Sequence, residues 1–373
     1  MSRTQLNQIK RVVIKIGSSL LTKGGTGLDK TAIADWVKQM AQCRQQGLDV
    51  ILVSSGSVAE GVCRLGLKSR PTTLHELQAA AAVGQMGLVR IFDDEFQRHG
   101  FHAAQILLTH DDLSNRQRYL NARSTLLTLL GFGIIPVINE NDTVATEEIR
   151  FGDNDTLAAL VANLLEADLL LILTDQQGLF TADPSIDKNA TLISEISIDD
   201  NRLETMAGQS RSGLGRGGMA TKVRAARLAA RSGAATIIAA GATAQVINDV
   251  LAGAPLGTYF LANIEPIVAR KRWLAGQLQL KGSVILDAGA VRVLQNEGKS
   301  LLAVGIKSVT GQFERGELVA CLNEQGNEIA RGLINYNSAE TALIAGKNSL
   351  AFAKILGYCD DAELIHRDNM VLV

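Results

Sequence analysis

The feature that most constrains this chain is an alternation: up to about residue 260, short β-rich runs are separated by longer stretches with helical periodicity. The runs Arg11–Ile16, Val50–Val53, Ala103–Leu108, Ile134–Ile138, Leu169–Leu173 and Ala235–Ala239 predict strands. The intervening stretches Thr31–Gln46, Leu74–His99, Gln117–Leu130, Thr156–Leu165 and Ala220–Arg231 predict helices. A strand followed by a helix of that length must cross over before the next strand, which produces parallel pairing and a sheet covered by helices on both faces. Composition agrees, because aromatic residues are few and the apolar set is mostly Ala, Leu, Ile and Val, as doubly buried parallel strands require. In such sheets ligands bind beyond the carboxyl ends of the strands, so the residues just after each strand are where chemistry is to be sought.

Past residue 262 the texture changes. A basic segment, Ala269-Arg-Lys-Arg-Trp273, leads into short alternating runs with turn signals at Gly282, Gly311, Gly316 and Asn323–Gly326. That pattern predicts a small β-rich domain. The 373 residues are therefore divided into an α/β domain over 1–262, a linker over 263–280, a β-rich domain over 281–358 and a tail over 359–373. The formal net charge of -1 excludes a global field favouring nucleic acid or a membrane surface. The most apolar run, Leu126 to Ile138, is broken by Gly131, Gly133 and Pro136 and is short of the roughly 20 residues a membrane span needs. The first ten residues are polar and lack the apolar core of a secretory signal, so a cytoplasmic protein is expected. Cys43, Cys63, Cys321 and Cys359 form no CxxC pair, and reduced thiols are expected.

Each strand of the first domain ends in a polar or glycine-rich turn. Strand one yields Lys15-Ile-Gly-Ser-Ser19, strand two Ser54-Ser-Gly-Ser57, the fourth Asn139-Glu-Asn-Asp142 and the fifth Thr174-Asp175. A further loop, Phe151-Gly-Asp-Asn-Asp155, opens the next helix. Any one of these is an ordinary turn or helix cap by composition, since Ser, Asn, Asp and Gly are favoured there for local reasons. Several on one edge of a parallel sheet point instead to a bound ligand, and exposed N–H groups at helix starts suit an anion. The stretch Gly213-Leu-Gly-Arg-Gly-Gly-Met-Ala-Thr-Lys222 carries the most, because its glycines can wrap an anion beside a helix start and a lysine. Its spacing fits neither common phosphate motif. A P-loop counted from Gly213 needs a lysine directly after Gly218, and a dinucleotide fingerprint needs G-x-G-x-x-G in the first strand-to-helix turn. Asp142, Asp153, Asp155 and Asp175 lie in loops after predicted strands, placed to hold an amine, a lysine or a metal-bound phosphate. Lys15 ends a strand otherwise made of Val and Ile, where an unpaired charge is costly, so a phosphate or carboxylate partner is expected. The five histidines are dispersed and make no case for a metal, and no G-x-S-x-G elbow appears.

Taken in order, Val12-Val-Ile-Lys-Ile-Gly-Ser-Ser19, Val53-Ser-Ser-Gly56, Val137-Ile-Asn-Glu-Asn-Asp142, Gly152-Asp-Asn-Asp155, Leu173-Thr-Asp175 and Gly213–Lys222 resemble the glutamate kinase branch of the amino-acid kinase family, which begins proline synthesis. The β-rich part, with Gly305-Ile-Lys and Gly311-Gln-Phe-Glu-Arg-Gly316, is similar to the PUA domain, a module that elsewhere binds RNA. The resemblance implies a three-layer α-β-α sandwich and transfer of a phosphoryl group from ATP, brought in with Mg²⁺, to the side-chain carboxylate of L-glutamate. It implies that Lys15 and Lys222 contact the ATP phosphates and that Asp155 organises the site. Thr174 and Asp175, with Arg216, Gly217, Gly218, Met219, Ala220, Thr221 and Lys222, would hold the nucleotide. Ser55, Asp142 and Asn154 would hold glutamate. No protein ligand for Mg²⁺ is assigned. Two residues depart from the family pattern: Arg216 stands where a small residue is expected and Arg150 where lysine is. Both keep or add positive charge, and both bear on affinity rather than on activity. The family also implies a homodimer or homotetramer and hand-over of a labile acyl phosphate to the next enzyme of the pathway.

The residue types suit that chemistry. A glutamate side chain, with an ordinary pKa of about 4.3, is ionised at neutral pH and needs no general base. The reaction needs in-line placement and positive charge around the moving phosphoryl group. Sibling kinases acting on aspartate, N-acetylglutamate, UMP or carbamate are the nearest alternatives, and an RNA-binding protein using the β-rich domain and Arg270-Lys-Arg-Trp273 is the alternative of another class.

Overall fold

The computed structural model describes residues 2–22, 27–145, 154–208, 218–262, 280–359 and 361–372. The chain divides into two compact units, Met1–Asn115 with Asn121–Ile267 and Arg116–Leu120 with Val268–Val373.

In the first unit the six expected strands form: β1 (Arg11–Ile16), β2 (Asp49–Ser54), β3 (Ala103–Leu108), β4 (Ile135–Glu140), β5 (Leu169–Thr174) and β7 (Ala235–Ala240). Two short ones are added, β6 (Glu195–Ser197) and β8 (Thr258–Leu261), giving the order β3-β4-β2-β1-β5-β7-β8-β6. Every pair from β3 to β7 is parallel, whereas β8 runs antiparallel to its neighbour β7. The helices up to residue 251 are α1 (Ser18–Leu21), α2 (Lys30–Gln45), α3 (Ser57–Arg64), α4 (Leu74–Gln97), α5 (His110–Ser114), α6 (Arg116–Gly131), α7 (Asn154–Leu165), α8 (Leu203–Met206), α9 (Met219–Ala230) and α10 (Val246–Leu251); all lie in the first unit except Arg116–Leu120 at the start of α6.

Strand β1 shows why both faces must be covered. Its side chains alternate between faces. Val12, Ile14 and Ile16 join a core with Trp36 and Met40 of α2 and Leu88, Phe92 and Phe96 of α4. Val13 and Lys15, on the other face, are also buried. The connection leaving β1 runs to β2 on one side, and the connection leaving β5 reaches β7 on the other. The crevice between β1 and β5 is therefore the topological switch point, where such folds bind ligands.

Helices α3 and α4 touch backbone to backbone. A Cβ on Gly61 would lie 1.7 Å from the carbonyl oxygen of Ala80, and one on Gly84 would lie 1.9 Å from that of Ser57. Only residues without a side chain permit that approach.

The second unit is built on β9 (Gly282–Leu286), β10 (Ile306–Gly311), β11 (Leu318–Leu322), β12 (Glu328–Leu333) and β13 (Met370–Leu372), in the order β10-β9-β11-β12-β13. The expected β-rich character holds for this sheet. Helices accompany it: α11 (Ala288–Glu297), capped where Asp287 accepts from the Ala290 N–H at 2.7 Å, α12 (Ser338–Ile344) and α13 (Phe352–Leu356). Residues 359–373 were expected as a tail, but their described part returns to the domain. Leu364 and Ile365 are fully buried in its core, and β13 pairs with β12. The expected linker lies outside the described residues apart from Leu280, and the basic segment Arg270-Lys-Arg-Trp273 lies wholly outside them.

Candidate active site

Three elements of the first unit converge on one carboxylate. Lys15 stands near the carboxyl end of β1, Asp155 in the first turn of α7 and Lys222 in the first turn of α9. Asp155 Oδ1 lies 2.6 Å from Lys15 Nζ, and Oδ2 lies 3.2 Å from Lys222 Nζ. Thr221 Oγ1 donates to the same Oδ2 at 3.0 Å. All three charged residues are buried: Lys15 is 4% exposed, Asp155 1% and Lys222 3%. Burial by itself would raise the Asp155 carboxyl. The two lysines, together with hydrogen bonds from Lys15 and Thr221, override it and hold the group below its ordinary value, so it is ionised at neutral pH.

Two glycines lie near this group. Gly17 follows β1, its N–H donates to the Leu173 carbonyl at 3.1 Å, and a Cβ there would sit 4.0 Å from Lys15 Nζ. At the end of β5 the Thr174 hydroxyl donates to Asp175 Oδ1 at 3.0 Å, and Asp175 is exposed. Gly218 precedes α9 in an extended conformation, with Met219 and Ala220 in the first turn. Ala220 is half-buried there.

A polar network adjoins the charged group, since Asn154 precedes Asp155. Asn154 Nδ2 donates to Ser55 Oγ at 2.9 Å, to Asn139 Oδ1 at 3.0 Å and to the Ser54 carbonyl at 3.2 Å. Asn139 Nδ2 in turn donates to Gln85 Oε1 of α4 at 2.8 Å. Gly56 has φ of 100°, a left-handed turn suited to glycine, and Ser57 just after it donates to Asp142 Oδ2 at 3.0 Å.

The sequence-predicted residues thus fall into two groups. Lys15, Asp155, Lys222 and Thr221 are in direct contact. Ser55 and Asn154 bond to each other, and Asp142 is tied to the same serine loop through Ser57. Thr174 and Asp175 stand at the end of β5, the strand paired with β1. Arg216 and Gly217, with Arg150, Asp153 and the front of the glycine-rich stretch, lie outside the described residues. Sequence reasoning missed Gln85. Its signal was a lone amide in the apolar run Ala79–Val83 and beyond, on a helix face that proves buried.

Among the described residues no three His, Cys, Asp or Glu side chains gather to hold a metal ion, and no helix is long and apolar enough to cross a membrane.

The amino acid kinase family model matches residues 10–240. The chain belongs to the amino acid kinase family. The matched span contains every residue of both groups. The PUA domain model matches residues 282–356, the body of the second unit. Full-length relatives within the amino acid kinases are close. The glutamate 5-kinase of Methylococcus capsulatus is 62% identical over 371 residues, covering 100% of this chain and 99% of that one. Those of Marinomonas sp. and Chromohalobacter salexigens are 59% and 58% identical, each covering 100% of this chain and 99% and 98% of the relative.

Proposed function

We propose that this chain is a glutamate 5-kinase, which transfers the γ-phosphoryl group of ATP to the side-chain carboxylate of L-glutamate, the first step of proline biosynthesis. Its relatives carry that name over their full lengths. The observation that carries the reading is the buried arrangement in which Lys15 and Lys222 share Asp155 beside the switch point of a parallel sheet. Two fixed ammonium groups there suit a phosphoryl group in flight better than a nucleophile that must first lose a proton.

A glutamate carboxylate oxygen attacks the γ-phosphorus, an O–P bond forms, the bond to the bridging oxygen breaks, and ADP leaves with that electron pair. Charge builds on the equatorial and leaving oxygens, and Lys15 and Lys222 neutralise it from preset positions. Asp155 is their anchor: it holds both Nζ atoms without competing for the phosphorus. Thr174, Asp175 and the stretch Arg216 to Lys222 hold the nucleotide. Ser55, Asp142 and Asn154 hold glutamate. Mg²⁺ carried in by ATP would add positive charge around the phosphates, and no protein ligand for it is assigned. The acyl phosphate product is labile to water, which favours direct hand-over to the enzyme that consumes it.

ATP-dependent hydroxamate formation, in which hydroxylamine traps the acyl phosphate, tests this directly. Product is expected with glutamate and not with aspartate or N-acetylglutamate. No product with glutamate would sink the proposal.

A further inference from the structure

We infer that Gln85 is a positioning residue: by accepting from Asn139 Nδ2 it holds Asn139 in the orientation that the Glu140 N–H sets, and so keeps the Asn154 amide turned to offer substrate its carbonyl oxygen, an acceptor for the ammonium group of an amino acid. This rests on the glutamate kinase reading and specifies how that site tells an amino acid from a plain diacid.

The orientation of the chain of amides follows from one fixed donor. The backbone N–H of Glu140 donates to Asn139 Oδ1 at 2.9 Å, and a backbone N–H can only donate. The oxygen of Asn139 must therefore face that way, which points its Nδ2 at Gln85 and requires Oε1 of Gln85 in reply. The same Asn139 Oδ1 accepts from Asn154 Nδ2. That nitrogen has two hydrogens and three acceptors within 3.2 Å, so both hydrogens are engaged by the protein. The carbonyl end of Asn154 is what remains, and an amide oxygen accepts but never donates. Ser55 has the opposite polarity. Its oxygen receives the Asn154 bond, leaving its own proton to give to a carboxylate. An acceptor beside a donor matches a zwitterion.

Gln85 is 6% exposed, and its Nε2 has no partner among the described residues. A buried donor left over is unfavourable, so this orientation is imposed by Asn139 rather than chosen for the glutamine's own bonds. The glycine crossing delivers it: Gly84 presses α4 onto Ser57 and Gly61, and the next residue reaches Asn139.

The test compares Gln85→Met with the unmodified chain in steady-state kinetics, with glutarate, which lacks the amine, as a competitive inhibitor. KM for glutamate is expected to rise about three- to tenfold, the value of one mis-aimed hydrogen bond, while KM for ATP and the inhibition constant of glutarate hold. Equal loss for glutamate and glutarate, a parallel rise in KM for ATP, or no change at all would each overturn the inference. Should Gln85→Met fail to fold, Gln85→Asn withdraws the acceptor by one methylene and is held to the same outcomes. If the unmodified chain makes no hydroxamate with glutamate, the kinase reading fails and takes this inference with it. If it does and the Gln85 variants match it, only the inference fails.

Discussion

Asp155→Asn is the most informative single change, because it removes one buried charge and strands two others. The carboxylate is 1% exposed and lies 2.6 and 3.2 Å from lysine nitrogens that are themselves 4% and 3% exposed. At an effective dielectric constant of about 20, a pair roughly 3 Å apart is worth about 5 kcal/mol. Relaxation and entering water return part of this, so the expected loss is the roughly 3–5 kcal/mol seen when one partner of a buried pair is deleted. For a domain of this size that corresponds to a fall of about 6–20 °C in Tm, measured by circular dichroism. The pH dependence follows from the depressed carboxyl. Because its folded value lies below its ordinary value of 3.8, the stabilisation is fully present above that pH and is lost as pH falls through the folded value. The gap between the two proteins is therefore flat from about pH 6 to 8 and closes only in acid. Mg²⁺ with a non-hydrolysable ATP analogue should narrow the gap, since phosphate oxygens can replace the missing carboxylate. A loss under about 1 kcal/mol, or a gap that widens as pH falls, would refute the reasoning.

Lys222→Ala should lower kcat by roughly two to three orders of magnitude with far-UV circular dichroism unchanged, and near-normal turnover would remove that lysine from the chemistry. Gly84→Ala places a Cβ 1.9 Å from the Ser57 carbonyl oxygen. Forcing α3 and α4 apart should cost about 3 kcal/mol in urea unfolding and raise KM for glutamate more than KM for ATP; an unchanged midpoint would contradict the backbone contact. Cys63 and Cys359 are exposed, whereas burial pushes the Cys43 and Cys321 thiols up to about 11 and about 12. A thiol reagent at pH 8 should label the first two in the native protein and all four in denaturant, and native labelling of Cys321 would show the second core to be open.

The large sheet was legible because a doubly buried parallel strand is a continuous apolar run. Arg11–Ile16 and Ala103–Leu108 form over the expected residues, and the other four predicted strands differ by a residue or two at their ends. Strand β8 was not legible: four residues after Gly257 carry too little pattern. Helix α11 was hidden by Val291-Arg-Val-Leu294, whose alternation imitates a strand until Asp287 is seen to cap the helix. The need of Lys15 for an anionic partner could be read from its apolar strand, and Asp155 fills that role. That Lys222 shares the same carboxylate could not be read, since 67 positions separate them and only the packing of α7 against α9 brings them together. Gln85 left only a faint signal, one amide in an apolar helical run, and nothing that named its partners. An uncharged amide leaves no mark on net charge, and its importance lies in what it touches, here Asn139.

The position of β1 in its sheet has a consequence in time. Among the described strands of its sheet it is made first, yet it is central, and its register with β5 joins Val12 to Leu169. Ribosomes add roughly 5–20 residues per second, so one edge of β1 waits on the order of 10–30 s for its neighbour. During that interval an apolar ribbon with an unpaired edge is prone to pairing with other chains. Protease protection of stalled nascent chains should accordingly reach β1 only once β5 has emerged. Lys15 interrupts that ribbon, and in the unfinished chain its charge is solvated and opposes aggregation as a gatekeeper does. The residue that faces Asp155 in the finished enzyme thus guards the strand while the rest of the sheet is still being made.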